Sequence, residues 1–266
     1  MLITLTTDFG LQDPFVGIMK GVIFGINPQV EVIDLTHDIP AQDILAGALT
    51  LRHSRAYFPR GTIHVAVVDP GVGSARRPVL IGCDGAFYIG PDNGVLSLAV
   101  GNEKPDCITN LSNSAYHLQP TSATFHGRDI FAPVAAHVSL GVPPCALGES
   151  SETFLQLTLP KPVRTPEEIN GEIIYVDHFG NLFTNIEERD LTGLADGRFE
   201  VALGAVCIPG TALNYSAAVS ADGFVAVINS WGLLEIAVYL GNAQRRTGAR
   251  IGDQVKLTIA TESRRR

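Results

Sequence analysis

The chain has 266 residues, enough for one large domain or two smaller ones, each with its own hydrophobic core. Apolar residues make up 45% and charged residues 17%, a balance that excludes an intrinsically disordered chain. Nineteen Lys and Arg against 27 Asp and Glu give a net charge of −8, which argues against a broad basic surface for nucleic acid.

The first part of the chain alternates strand-like and helix-like segments. Near-continuous apolar runs indicate buried strands, and apolar residues at helical spacing indicate the helices between them. The predicted strands are 2–7, 30–35, 63–68, 79–83 and 87–89, and the predicted helices are 13–25, 44–58, 93–100 and 129–140. Such alternation predicts an α/β domain with a central, mainly parallel sheet.

After residue 161 the pattern changes to short strands separated by Gly, Asp and Asn turns. The predicted strands are 171–177, 183–186, 199–203, 206–208, 224–228, 234–239 and 254–258. We therefore expect a smaller, all-β barrel domain here. The predicted domains are residues 1–163 and 164–266.

Targeting and cysteine signals favour a cytoplasmic protein. The amino terminus is typical of a strand and lacks the basic flank and apolar run of a signal peptide. Two uncharged stretches approach membrane length, 130–148 and 201–221, but both are interrupted by Pro and Gly, so no membrane segment is predicted. Four widely spaced cysteines form no CxxC or CxxH pair and predict reduced thiols.

Two polar clusters directly follow predicted strands. Asp8 follows the first strand, and Asp69 follows the strand at 63–68. Ligands of open α/β sheets bind at the carboxyl ends of strands, so these clusters predict one pocket. The alternative for Asp8 is a turn or a helix cap. The segment 69–77 lacks the lysine and hydroxyl ending of a P-loop, which disfavours a nucleoside triphosphate site.

A third cluster, residues 124–129, places His126 at the start of a predicted helix. The helix dipole would lower the pKa of this imidazole and keep it neutral enough to accept a proton. The alternative is a structural histidine.

A fourth cluster lies in the β-rich part, at residues 176–181 and 229–232 together with Glu235. Aromatic rings with amide and hydroxyl groups suit a flat, weakly polar heterocycle. The alternative is a set of Asn- and Gly-rich β-turns.

Taken together, six segments carry a family resemblance. They are TTDFG at 6–10, VVDPGVGSARR at 67–77, PDNG at 91–94, TFHGRD at 124–129, DHFGN at 177–181 and INSWG at 228–232. The chain resembles the S-adenosylmethionine hydroxide adenosyltransferases, also called S-adenosylmethionine hydrolases, which are relatives of the fluorinating and chlorinating adenosyl enzymes. The resemblance spans nearly the whole chain in order. It implies a homotrimer with each active site between the first domain of one subunit and the second domain of its neighbour.

The resemblance also implies a reaction and roles for residues. The expected reaction is hydrolysis of S-adenosyl-L-methionine to adenosine and L-methionine by attack of water at C5′ of the ribose. Asp69, Arg76 and His126 match the triad that positions and activates water, and Asp8 matches the carboxylate that holds the ribose hydroxyls. The other positions expected to bind substrate are Asp13, Phe125, Asp177, Phe179, Asn181, Tyr215, Ser230, Glu235 and Val238.

Because a sulfonium is already an activated leaving group, no metal and no cofactor are expected. Whether Asp69 or His126 takes the proton stays open at this point. A halogenase is a competing hypothesis, but halogenating relatives carry other residues at the positions of Asp69, Val72 and His126. A second competing hypothesis is a noncatalytic sensor of S-adenosylmethionine or adenosine. A third is a structural trimer in which the triad is an ion-pair network.

Overall fold

The computed structural model describes residues 1–192, 199–217, 220 and 222–259. Residue contacts divide the chain into two compact units, Met1–Leu157 and Thr158–Arg266. Each unit has its own sheet and its own hydrophobic core. The domain limits 1–163 and 164–266 stay a prediction. Among the helices of the described residues, none is both long and apolar enough to cross a membrane.

The first unit is built on a seven-stranded sheet. In chain order its strands are β1 (Leu2–Thr7), β2 (Glu31–Thr36), β3 (Ile63–Val67), β4 (Pro78–Cys83), β5 (Ala86–Pro91), β6 (Cys107–Asn110) and β7 (Glu149–Ser150). Their spatial order is β2-β1-β3-β5-β4-β6-β7. The central strands β1 and β3 are buried almost throughout, as expected for strands covered on both faces.

Helices cover the sheet of the first unit. They are α1 (Phe15–Ile26), α2 (Ile44–Ser54), α3 (Ser97–Val100) and α4 (Ala132–Ser139). Helices α1 and α4 pack against each other, and Met19 and Ile23 of α1 share one core with Ile3 and Leu5 of β1. Helix α2 packs against α3 and contacts β1 and β3. The sheet thereby separates two helical layers, as in other α/β domains.

The prediction of a mainly parallel sheet is wrong. Strands β2, β1, β3 and β5 pair in parallel, but the pairs β5–β4, β4–β6 and β6–β7 are antiparallel. The reason lies in the two-residue connection between β4 and β5. Asp84 and Gly85 have φ of 50° and 71° there, the conformation of a tight hairpin turn, which forces the flanking strands to run in opposite directions.

The helix predicted at 93–100 is shorter in the structure and begins at Ser97. The Asn93 amide instead donates to the carbonyl of Val68 at 2.8 Å, and Gly94 has φ of 101°. Asn93 therefore ties the loop after β5 to the end of β3, next to Asp69.

The second unit is built on an antiparallel sheet. Its strands are β8 (Val163–Arg164), β9 (Glu168–Val176), β10 (Leu182–Glu187), β11 (Phe199–Leu203), β12 (Val206–Pro209), β13 (Phe224–Ile228), β14 (Leu233–Val238) and β15 (Gln254–Ile259). Their spatial order is β12-β11-β15-β9-β10-β14-β13, with β8 also paired to β9. The end strands β12 and β13 contact each other, so the sheet nearly closes into a barrel. A short helix, α5 (Ala243–Thr247), packs on β14.

Candidate active site

Asp69 and Arg76 form a buried ion pair near the carboxyl end of β3. The intervening loop turns back through backbone hydrogen bonds from Val72 to Asp69 and from Ser74 to Gly71. Arg76 Nε then donates to Asp69 Oδ1 at 3.0 Å, and Arg76 Nη2 donates to Oδ2. Only 5% of the Asp69 side chain and 9% of the Arg76 side chain are exposed. The two-pronged contact fixes the planes of both groups relative to each other.

The loop that carries Arg76 packs directly on the segment before His126. Gly73 has φ of 76°, and a Cβ at this position would lie 2.3 Å from the carbonyl oxygen of Ala123. Only glycine fits such a close approach of two backbones. This contact brings two loops that are distant in sequence together and places His126 beside Arg76.

His126 completes a cluster of three polar side chains. Its Nδ1 lies 2.7 Å from Arg76 Nη2. Burial and then the positive charge of Arg76 lower the pKa of His126, and these effects outweigh the opposing charges of Asp69 and Asp129. The direction agrees with the sequence prediction of a neutral imidazole. The residues that follow His126 form a π-helical turn, Gly127–Phe131, before α4 begins.

Asp129 orders the loop that leads to His126. Its carboxylate, in a residue only 1% exposed, accepts from the backbone N–H of Ser122 at 2.8 Å and from Arg128 Nε at 2.6 Å. The sequence alone assigns Asp129 no role, because nothing in the TFHGRD segment indicates that its carboxylate binds the backbone of Ser122.

Asp8 is held by the loop that follows β2. Asp8 Oδ2 accepts from the backbone N–H of Gln42 at 2.8 Å, and Gln42 has an unusual φ of 67°. On the other side, Thr7 Oγ1 bonds Nδ1 of the buried His37 at 2.8 Å. The residue before α1 is Pro14, so Asp8 is not the N-cap of that helix. Sequence reasoning missed Gln42 and His37.

Three phenylalanine rings connect the Asp8 loop to the His126 segment. Phe125 packs edge-on against Phe9 and Phe15, with ring centroids 6.0 and 5.4 Å apart. Because Phe9 adjoins Asp8 and Phe125 adjoins His126, this contact brings the first and third sequence clusters together. Asp13 is exposed in the turn before α1.

In the second unit, Asp177 and Asn181 form a closed turn between β9 and β10. Asp177 Oδ1 accepts from the backbone N–H groups of Phe179 and Asn181, and Asn181 Nδ2 donates to Asp177 Oδ2 at 3.1 Å. Residues 177–181 therefore form a turn, which was the structural alternative to a ligand-binding role for this segment. It presents the Phe179 side chain at its tip, where the residue is 70% exposed.

Glu235 is a buried carboxylate on β14, with 0% exposure. Neither of its oxygens has a hydrogen-bond partner of normal geometry among the described residues, and the same holds for Asn229 Nδ2. Burial raises the pKa of Glu235, while the nearby Asn229 and Tyr215 lower it by less. A buried carboxylate without well-formed hydrogen bonds is costly to keep in a fold. Glu235 is therefore well suited to accept hydrogen bonds from a bound molecule.

The remaining predicted residues of the second unit differ in their exposure. Tyr215 is 44% exposed, and Ser230 is exposed in the turn between β13 and β14. Val238 is 7% exposed, and its side chain lies in the core of the second unit. Sequence reasoning missed Phe183, which lies opposite Glu235 in the sheet and packs on Trp231 with centroids 5.0 Å apart.

Comparison with known proteins gives matches over both units. The family model of the SAM hydroxide adenosyltransferase N-terminal domain matches residues 3–148, and the model of the C-terminal domain matches residues 171–256. A curated relative from Salinispora arenicola (strain CNS-205), named (R)-S-adenosyl-L-methionine hydrolase, is 36% identical over 96% of this chain and 97% of its own. A relative with the same name from Thermus thermophilus is 36% identical over 94% and 97% of the two chains.

More distant relatives and solved structures agree with these matches. A protein of Actinoplanes sp. (strain N902-109) named fluorinase is 27% identical over 71% of this chain and 73% of its own. The crystal structure of an uncharacterized conserved protein from Thermotoga maritima aligns with a TM-score of 0.89 and 34% identity, covering 97% of this chain and 100% of that one. Two family models and near full-length relatives above 30% identity show that the chain belongs to the SAM hydroxide adenosyltransferase family.

Proposed function

We propose that this protein hydrolyses S-adenosyl-L-methionine to adenosine and L-methionine by attack of water at C5′ of the ribose. The observation that carries the proposal is the cluster of Asp69, Arg76 and the half-buried His126, which joins a carboxylate, a guanidinium and a neutral imidazole within hydrogen-bond distance. The names of the near full-length relatives support the same substrate and the (R) epimer at sulfur.

The residue types suit this chemistry. A positively charged sulfonium leaves as a neutral thioether, so the displacement needs mainly an aligned oxygen nucleophile and a group to take its proton. Water forms the new bond to C5′, the bond from C5′ to sulfur breaks with its electron pair going to sulfur, and one proton leaves the water. We propose that no cofactor takes part and that S-adenosyl-L-methionine is the small-molecule substrate.

Residues outside the triad are proposed to bind the substrate. The support in the first unit is the placement of Asp8 near Phe125 through the ring of Phe9. The support in the second unit is Glu235, a buried acceptor without a hydrogen bond of normal geometry among the described residues. The proposed set also includes Asp13, Asp177, Phe179, Asn181, Tyr215, Ser230 and Val238.

We also propose a homotrimer with active sites at subunit interfaces, located in the cytoplasm. Exposed apolar side chains at the start of α1 support an interface, since Leu11 is 70%, Phe15 41% and Ile18 39% exposed. The cysteines are free thiols, which fits a reducing compartment. Sedimentation equilibrium would measure the oligomeric state.

Asp8→Asn is expected to raise KM by roughly 10- to 100-fold with little change in kcat, because a charged acceptor is lost from ground state and transition state alike. Asparagine keeps an oxygen for the N–H of Gln42, so the loop contact survives. Asp38→Asn is the matched control. Asp38 is an exposed aspartate in the loop after β2, the loop that also holds Asp8, and its substitution should leave KM unchanged. An unchanged KM in the Asp8 variant would remove this residue from substrate binding.

Incubation with both sulfonium epimers of S-adenosyl-L-methionine in ¹⁸O-labelled water, with and without chloride, tests the reaction itself. Mass spectrometry should find adenosine with label at its 5′ oxygen, and the (R) epimer should be consumed faster. A 5′-chlorinated nucleoside would identify a halogenase. Tight adenosine binding without any product would identify a sensor.

A further inference from the structure

His126 contacts, through Nδ1, a group that can only donate hydrogen bonds. A guanidinium has five N–H donors and no acceptor, and it stays protonated in proteins. In the 2.7 Å contact between Arg76 Nη2 and His126 Nδ1, the histidine nitrogen must therefore be the acceptor. A neutral imidazole carries one ring proton, and with Nδ1 as acceptor that proton lies on Nε2.

We infer that His126 is a hydrogen-bond donor to the attacking water through Nε2–H, and that Asp69 is the residue that takes the proton. The inference rests on the proposed hydrolysis and goes beyond it by dividing the roles within the triad. The sequence alone leaves open which of these two residues takes the proton.

The opposite role for His126 requires a different arrangement of protons. To accept a proton at Nε2, the neutral ring would have to carry its own proton on Nδ1, and that N–H would then face the N–H of Arg76. The imidazolium form has the same conflict. The titratable and charged groups that face His126 are Arg76, Asp69, Asp129 and His117. Burial and Arg76 together outweigh the two carboxylates and keep the pKa of His126 low.

Asp69 can take the proton while its ion pair stays in place. Each of its oxygens accepts one hydrogen bond from Arg76, and an ionised carboxylate has about four lone-pair positions. As the bond from water to C5′ forms and the bond from C5′ to sulfur breaks, one water proton passes to Asp69. The carboxylic acid then releases this proton to solvent, leaving adenosine and L-methionine.

Arg76 has a further N–H donor that no described residue uses. Its Nη1 is buried and has no hydrogen-bond partner in the described part of the chain. An unused buried donor on the guanidinium that also contacts His126 suits a site that holds an oxygen atom. N–H donors such as those of His126 Nε2 and Arg76 Nη1 can position water, but they cannot deprotonate it.

Nitrogen-15 NMR of the histidine rings tests the tautomer without any need for activity. The protein is labelled at its histidines, and the signal of His126 is assigned by its loss in His126→Gln. The expected result is a neutral ring protonated at Nε2 throughout the pH range in which the protein is active. A ring protonated at Nδ1, or an imidazolium at neutral pH, would overturn the inference even if the protein hydrolyses its substrate.

Kinetics of two substitutions test the role. Glutamine supplies an amide N–H but no base, so His126→Gln is expected to keep kcat within about tenfold of the wild type, the scale of one imperfect hydrogen bond. His126→Leu, which has no donor, should lose roughly 100-fold or more. The acid limb of the pH profile of kcat should stay in place in His126→Gln, because His126 is not the base. Equal losses in the two variants, or a displaced acid limb, would assign the base to His126.

Discussion

Asp69→Asn is expected to lower kcat by roughly 100-fold or more, the scale of a lost general base. Asparagine has nearly the same shape and keeps one oxygen for Arg76 Nε, but its amide cannot take a proton from water. Substrate affinity should change little, because Asp69 is proposed to act on the water and not on the nucleoside. Single-turnover rates give the chemical step, and calorimetric titration with S-adenosyl-L-methionine gives the affinity.

Asp92→Asn is the matched control for this substitution. Asp92 is also a buried carboxylate paired with an arginine, since Arg77 Nε and Nη2 both donate to its Oδ2. The kcat of Asp92→Asn therefore shows how much activity is lost when an Asp-to-Asn change weakens an ion pair outside the triad. A near-normal kcat in Asp69→Asn, or an equally large fall in Asp92→Asn, would show that the triad is a structural ion-pair network.

The sequence predicts where the polar loops lie, but it does not predict which of them contact each other. Asp8 and Asp69 follow continuous apolar runs, which predict buried strands, and the structure places the two residues just after β1 and β3. The spacing between Arg76 and His126 says nothing about their distance. Their contact depends on the close approach of Gly73 to Ala123, which is a property of the folded backbone.

Other features depend on tertiary contacts in a similar way. Strand alternation places Leu234 and Ile236 in the core of the second unit and turns Glu235 to the other face, where an acidic side chain would be expected to be exposed. The structure buries it completely. The hairpin at Asp84 and Gly85, by contrast, has a local sequence signal, an Asp-Gly pair between two apolar segments, and this pair favours an antiparallel connection over a mainly parallel sheet.

Arg76→Lys is expected to lower kcat by roughly 100-fold or more although the positive charge is retained. Arg76 donates to both oxygens of Asp69 and to His126 Nδ1 at the same time, and its guanidinium lies 5.5 Å from the ring centre of Phe131. A lysine ammonium is a compact donor that cannot reproduce this planar, forked arrangement. Loss of the aligned geometry alone can cost about two orders of magnitude in rate.

Truncation of the same residue separates its structural role from its catalytic one. Arg76→Ala leaves the buried Asp69 without its partner and should lower the free energy of unfolding by about 3–5 kcal/mol, measured by urea denaturation. Arg77→Lys is the control for Arg76→Lys, because Arg77 is the next residue in sequence and also donates two hydrogen bonds to one carboxylate, that of Asp92. Its kcat should remain close to the wild-type value. A wild-type kcat in Arg76→Lys would mean that positive charge alone is needed at this position, and that the hydrogen bond to His126 Nδ1, which assigns the ring proton to Nε2, does not matter for the reaction.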